Sequence, residues 1–475
     1  MKRLIAVCAA LALISSAGVA FVCAGGVRAL PPSDLRTAYP SYAEVASWDF
    51  MAGEYDALRR GGDDPRLILG SSELNSAPAG PAHPGRLFAD GRYGVTSVVA
   101  GRAGVNDLWQ AIEVGAFAPH MPKGSRRVVI FASMQWFMCY RDPASTFPGV
   151  FSQGAYDAFM ANPSISREMK ARVVERVRTY GVEDADGSAS TPLGFVNAAD
   201  RAATSLASDL RLAQSLRADG AGEPHDPKAS AGKQGTAGGK TAALDWGALI
   251  EEGKQRASKG SSNNEYGFYD GWYEKKFAAW LDGAQRAWHV DDGVYFSQQE
   301  YEDFELMLDV CRQVGVEPLI VIQPVKGKAY DQTIYTREVR EAYYTTIRAI
   351  CDRMDVEVAD FSGYEYDPLF LRDYSHPSAY GSALYSQAIY DFWTRSPRRF
   401  GYKQLICTRR PSGRTRDQTE RASCSISRPA ASLCSSPLAC ACTSPFPIST
   451  WYWVPCPRSS TSCSPFYLAW VSPSF

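Results

Sequence analysis

Two short motifs hold the residue types needed for acyl transfer. Gly70-Ser71-Ser72-Glu73-Leu74 follows the apolar run Leu67-Ile68-Leu69, and Asp373-Tyr374-Ser375-His376-Pro377 lies far downstream. A serine hydroxyl is a poor nucleophile until an imidazole takes its proton, and a carboxylate orients that imidazole. Gly70 lets the turn tighten so that Ser72 can stand at the carboxyl edge of a sheet, where open α/β sheets bind ligands. Ser71 is the competing nucleophile. Ser72 is preferred because it lies two past the glycine and nearer the following helix. Gly-Ser-Ser also suits an ordinary loop or helix cap. Asp373 and His376 are three apart, so one helical turn would set them on the same face. Of the five histidines, His83 and His120 sit beside prolines, His225 lies in low-complexity sequence and His289 reads as structural.

Acyl transfer also needs donors aimed at the developing oxyanion. Gly104, in Gly101-Arg102-Ala103-Gly104, and Gln135, in Ser133-Met134-Gln135-Trp136-Phe137, each follow an apolar run and could complete such a hole with the Ser72 N–H. A turn and a strand-end hydrogen bond are the simpler uses of these residues. Trp136 and Phe137 read as core or groove wall.

The elements that must carry these residues alternate. Apolar runs at 66–69, 95–99, 128–133, 319–322 and 356–361 suit central strands covered on both faces. Amphipathic stretches at 301–314, 337–354 and 379–393 suit helices; Tyr301, Phe304, Leu308 and Cys311 share one face. The expected fold is a three-layer α/β domain with a mostly parallel sheet. It spans residues 42–402, with a disordered insertion at 218–241 that is rich in Gly, Ala and Lys and lacks large apolar side chains.

The flanks differ. Met1-Lys2-Arg3 precedes an uncharged apolar stretch from Leu4 to Val27, long enough for a membrane-spanning helix. Residues 1–28 are therefore expected to be an anchor with a cytoplasmic N-terminus, followed by a connector at 29–41. A cleaved signal peptide is the alternative. Beyond residue 403 Ser, Pro, Cys and Arg dominate and seven of the twelve cysteines gather. That segment reads as a non-native or disordered tail. A formal net charge of −1 and no basic stripe give nucleic acid nothing to bind. No metal-ligand spacing is present and no cofactor is expected.

A serine after the first strand, glycine after the second, an amide after the third and a terminal Asp-x-x-His resemble the SGNH/GDSL hydrolase superfamily. Gly70-Ser71-Ser72-Glu73-Leu74, His83-Pro84, Gln135-Trp136-Phe137, Pro324-Val325-x-Gly327-Lys328-x-Tyr330-Asp331, Ala359-Asp360-Phe361-Ser362 and Asp373-x-x-His376 narrow this. Together they resemble the DltD family of D-alanyl-lipoteichoic acid biosynthesis proteins. The resemblance implies a single-pass protein of the Gram-positive cell membrane with an extracellular catalytic domain. Its partners would be a membrane-bound O-acyltransferase, a D-alanyl carrier protein and a teichoic acid acceptor. Ser72 would carry D-alanine as an ester, His376 would act as base and then acid, and Asp373 would orient it. Gly104 and Gln135 would bind the oxyanion; Trp136, Lys328 and Tyr330 would bind substrate. Met134, Lys326, Ala329 and Ser382 depart from the family pattern and are expected to line the acceptor groove. A generic esterase or thioesterase, and a non-catalytic scaffold for the carrier and acyltransferase, are the competing functions.

Overall fold

The computed structural model describes residues 48–75, 80–123, 126–139, 142–182, 243–290 and 293–395. The anchor, the connector, the insertion at 218–241 and the tail lie outside the described residues. Among the described residues no helix is long and apolar enough to cross a membrane.

Five strands form one sheet in the order β2-β1-β3-β4-β5. They are β1 (Pro65–Gly70), β2 (Thr96–Gly101), β3 (Arg127–Ser133), β4 (Glu317–Gln323) and β5 (Glu357–Asp360). All pairings are parallel. Each strand coincides with one of the expected apolar runs, because a strand buried on both faces has no polar alternation to display.

The two faces carry separate cores. Leu67, Leu69, Val128, Ile130, Ile320 and Ile322 point into one of them. There they meet helices α1 (Trp48–Arg60), α2 (Asp107–Phe117), α3 (Gln153–Ala161), α4 (Arg167–Thr179), α5 (Gln298–Val314) and α6 (Arg337–Arg353). The alternate residues Ile68, Val129, Phe131, Leu319 and Val321 pack on the other face against α7 (Ala379–Thr394), with the helix Trp246–Gly260 outside it. The period of two along each strand thus yields three layers. Helix α5 starts earlier than its apolar stripe because Ser297 caps it, accepting from the Glu300 N–H at 3.3 Å.

From β1 the chain moves outward to β2, then returns to the other side of β1 for β3. That reversal makes the carboxyl ends of β1 and β3 a topological switch point, the ordinary ligand position in open α/β sheets. The first motif lies there.

Candidate active site

Gly70 and Gly101 are register partners at the ends of β1 and β2. The backbone packs closely at both. A Cβ on Gly70 would lie 2.4 Å from Glu73 Oε1, and one on Gly101 would lie 2.7 Å from the Ser71 carbonyl oxygen. The Ser71 N–H donates to Glu73 Oε1 at 2.6 Å, and the Ser71 hydroxyl donates to the Arg102 carbonyl at 3.2 Å. Ser71 is buried and its hydroxyl is engaged. Ser72 opens the short helix Ser72–Asn75, stays half-buried and places its Oγ 2.9 Å from His376 Nε2. Local packing therefore separates the two candidate serines.

On the other side of the imidazole, Nδ1 lies 2.9 Å from both carboxylate oxygens of Asp373. A carboxylate can only accept, so Nδ1 carries the hydrogen and Nε2 is left to receive the Ser72 proton. The helical turn expected for Asp373 and His376 is corrected: residues 372–376 form a succession of bends, pinched by an antiparallel bridge between Leu371 and Pro377. Asp373 brings the two side chains together by another route. Its Oδ1 also accepts from the N–H groups of Ser375 and His376, at 3.0 and 2.8 Å, an aspartate-centred turn that competes with helix. Burial works to raise the Asp373 pKa. The His376 charge and hydrogen bonds and the nearby Arg372 outweigh it and hold the carboxyl at about 2. The group that faces His376 is thus kept ionised.

The remaining candidates spread over the neighbouring strand ends. Gly104, in the loop beyond β2, adopts φ +89, a left-handed backbone suited to glycine. Gln135 sits on the short helix Met134–Phe137 after β3, half-buried, and its Nε2 donates to the Tyr330 hydroxyl at 3.0 Å. Trp136 and Tyr330 are buried core residues, the latter packed against Trp280 and Trp288. Lys328 is exposed and donates to the Glu265 carbonyl at 3.1 Å. Met134, Lys326, Ala329 and Ser382 do not line an open groove; all four are buried. They pack beneath the strand ends and at the start of α7, where burial selects for fit within the core. Among the described histidines, His120 pairs with Asp56 and His289 meets the Ala287 carbonyl, both away from Ser72.

Several supporting residues carry no obvious sequence signal. His83, which reads as loop, is buried: its Nδ1 accepts from the Gly85 N–H at 3.2 Å, and its ring also bonds the Glu73 carbonyl. It thereby holds the backbone next to Ser72. Burial first, then the Arg86 charge, lowers its pKa to about 3, so the ring is neutral. Lys326 is enclosed by backbone carbonyls, and burial pulls its ammonium down to about 7 against the opposing charges of Asp373 and Asp367. The adjacent dipeptide His83-Pro84 is the one cue to His83; Lys326 stands out in the sequence only as a departure from the family pattern, with no sign of its burial.

Among the described residues no group of three or more His, Cys, Asp or Glu side chains is arranged to hold a metal ion. The serine, imidazole and carboxylate form one hydrogen-bonded chain, a geometry of the kind that lets an imidazole take a proton from a hydroxyl. The family described as DltD protein matches residues 53–394. Protein DltD of Bacillus subtilis (strain 168) is 27% identical over 332 residues, covering 69% of this chain and 81% of that protein. On that match, which takes in both motifs and the sheet that joins them, the chain belongs to the DltD family.

Proposed function

We propose that this protein transfers D-alanyl groups to teichoic acid outside the cytoplasm through an ester on Ser72. Family membership supports the role in teichoic acid D-alanylation. The observation that carries the chemistry is the continuous hydrogen-bonded chain from Ser72 Oγ through His376 to Asp373. In the first step Ser72 Oγ attacks the D-alanyl carbonyl of the donor while His376 Nε2 takes its proton. The tetrahedral adduct collapses as that proton passes to the leaving group, and D-alanine remains esterified to Ser72. An acceptor hydroxyl then gives its proton to His376, attacks the ester and releases Ser72, which regains the proton.

Ser72 N–H, Gly104 N–H and the Gln135 amide are the proposed oxyanion donors, the last exchanging its Tyr330 partner for substrate. Loss of one such donor costs about 100- to 1000-fold in rate. Lys328, exposed beside this edge, is the proposed contact for an anionic acceptor. The extracellular placement rests on the uncharged segment after Met1-Lys2-Arg3. The donor would reach the site through a membrane-bound O-acyltransferase charged by a D-alanyl carrier protein. Placing ammonium-bearing esters on a phosphate-rich polymer lowers the anionic charge of the envelope, weakening its attraction for cationic peptides.

The test compares cells with wild-type protein, Ser72→Ala protein and no protein, assayed for ester-linked D-alanine on the envelope. Ser72→Ala is expected to match the deletion. Wild-type ester levels in the mutant would make the protein a scaffold. Unchanged levels in the deletion, with ester cleavage by purified protein, would make it a general esterase.

A further inference from the structure

The loop that carries Asp373 and His376 has no regular secondary structure, yet its backbone is held almost throughout. Of the six carbonyls in residues 371–376, five accept hydrogen bonds from partners outside their own turn or across its neck. Leu371 accepts from Lys326 Nζ at 2.6 Å and Arg372 from the Tyr269 N–H at 2.7 Å. Tyr374 accepts from the Lys326 N–H at 2.9 Å and Ser375 from Gln323 Nε2 at 2.8 Å. His376 accepts from the Arg372 N–H at 3.0 Å, closing the neck. Three of these bonds come from the end of β4.

Lys326 contributes more than its share. The residue is 2% exposed, and its ammonium also donates to the carbonyls of Pro368, at 3.1 Å, and Gly267, at 3.2 Å. Three carbonyl dipoles from two distant segments thus converge on one cation. Without it they would lose a shared donor in a buried site. Gly267 permits this approach: its φ is +72, and a Cβ there would lie 2.0 Å from the Pro368 oxygen. The ring of Phe268 covers the ammonium at 5.6 Å.

Resting on the Ser72 ester reading, we propose that Lys326 is a positioning residue whose buried ammonium locks the 371–376 loop and the 267–269 segment onto the end of β4, fixing His376 at hydrogen-bond distance from Ser72. Lys326 touches no reacting atom and acts through the loop. It accounts for how an irregular segment holds an imidazole steadily enough for proton transfer.

The test uses full-length protein with Lys326→Met, which keeps the apolar stem and removes the donors, and Lys326→Gln, which keeps two donors on an arm of the same length as that of Met. One readout is amide hydrogen exchange in peptides covering 267–269 and 368–376. The other is covalent labelling by a fluorophosphonate, separated into the affinity of the reversible complex and the maximal inactivation rate. Lys326→Met is expected to speed exchange in both segments about tenfold or more, with the sheet unchanged. Its maximal inactivation rate is expected to fall about 100-fold at unaltered affinity, the signature of a misplaced base. Lys326→Gln should fall between, and it decides the matter if Lys326→Met does not fold. Wild-type exchange in both segments, or a loss confined to affinity, overturns the proposal. Failure of the wild-type protein to label at Ser72 would instead sink the serine-ester reading, and the exchange measurement would still judge the lock.

Discussion

His83 never meets Ser72, yet it bonds the carbonyl of the residue after Ser72, and only as a neutral ring can it also accept from the Gly85 N–H. Nδ1 accepts from the Gly85 N–H, so Nε2 must carry the hydrogen that reaches Glu73. Protonation would abolish the acceptor and place a charge in a buried site. Its folded pKa of about 3 lies below an ordinary value of about 6.5. The folded state therefore binds this proton less readily than the unfolded state. The contribution of His83 is complete above about pH 6.5 and is lost as pH falls toward about 3, at up to about 1.4 kcal/mol per pH unit. Denaturant unfolding at a series of pH values should show this slope in the wild type and a shallower one in His83→Gln. Equal slopes would mean that another group sets the acid limb. Asp373, held at about 2, adds its own loss in a lower window, from the usual carboxyl value of about 3.9 downward.

At the scale of elements, the turns beyond the strands depend on helix α6. Arg340 projects from it, fully buried, and its guanidinium reaches Glu365 at 2.8 Å, Asp331 at 2.9 Å, the Tyr335 carbonyl at 2.8 Å and the Tyr366 hydroxyl at 2.9 Å. One side chain thus joins α6 to the turn after β4 and to the turn after β5. A further bond, Gly327 N–H to the Glu365 carbonyl at 2.7 Å, ties those two turns directly. Removing one member of a buried ion cluster leaves the others charged and uncompensated, which costs about 3–5 kcal/mol. Arg340→Met is expected to lose stability on that scale in denaturant unfolding. A loss below about 1 kcal/mol would show the cluster to be no better than a surface pair.

For the whole molecule, pH sets opposing limits. On the acid side stand His83 and Asp373. On the other stand carboxyls buried between helices. Burial first, then the Glu300 charge, raises Asp107 well above the usual range where α2 packs on α5. Burial also lifts Glu113 to about 8 and Asp303 to about 6, against the opposing charges of Arg102 and Arg176. A raised acid holds its proton in the folded state. Its favourable contribution is full below the unfolded pKa, near 4, and is lost as pH climbs through the folded one. Asp107→Asn is expected to stabilise the protein at pH 8 by roughly 1–3 kcal/mol, with the gain shrinking toward pH 4. A constant gain across that range would point to packing.

The order of the strands' apolar runs, the serine after the first of them and the late Asp-x-x-His were legible because each is a local pattern. A run of Leu, Ile and Val without polar alternation has few fates other than a central strand, and a glycine before a serine permits a tight turn. Conformation in the second motif was less legible: Asp373-x-x-His376 fits a helical turn by spacing, whereas its carboxylate captures two nearby N–H groups and bends the chain. Burial was not legible at Lys326, Tyr330 or Ser382, since enclosure depends on segments remote in sequence. The residues themselves determined which hydroxyl, imidazole and carboxylate this protein has to offer. Tertiary structure alone decided that Ser72 and not Ser71 meets the imidazole, because a 2.9 Å contact is set by the register of packed strands and the anchoring of a distant loop, and spacing along a chain carries neither distance.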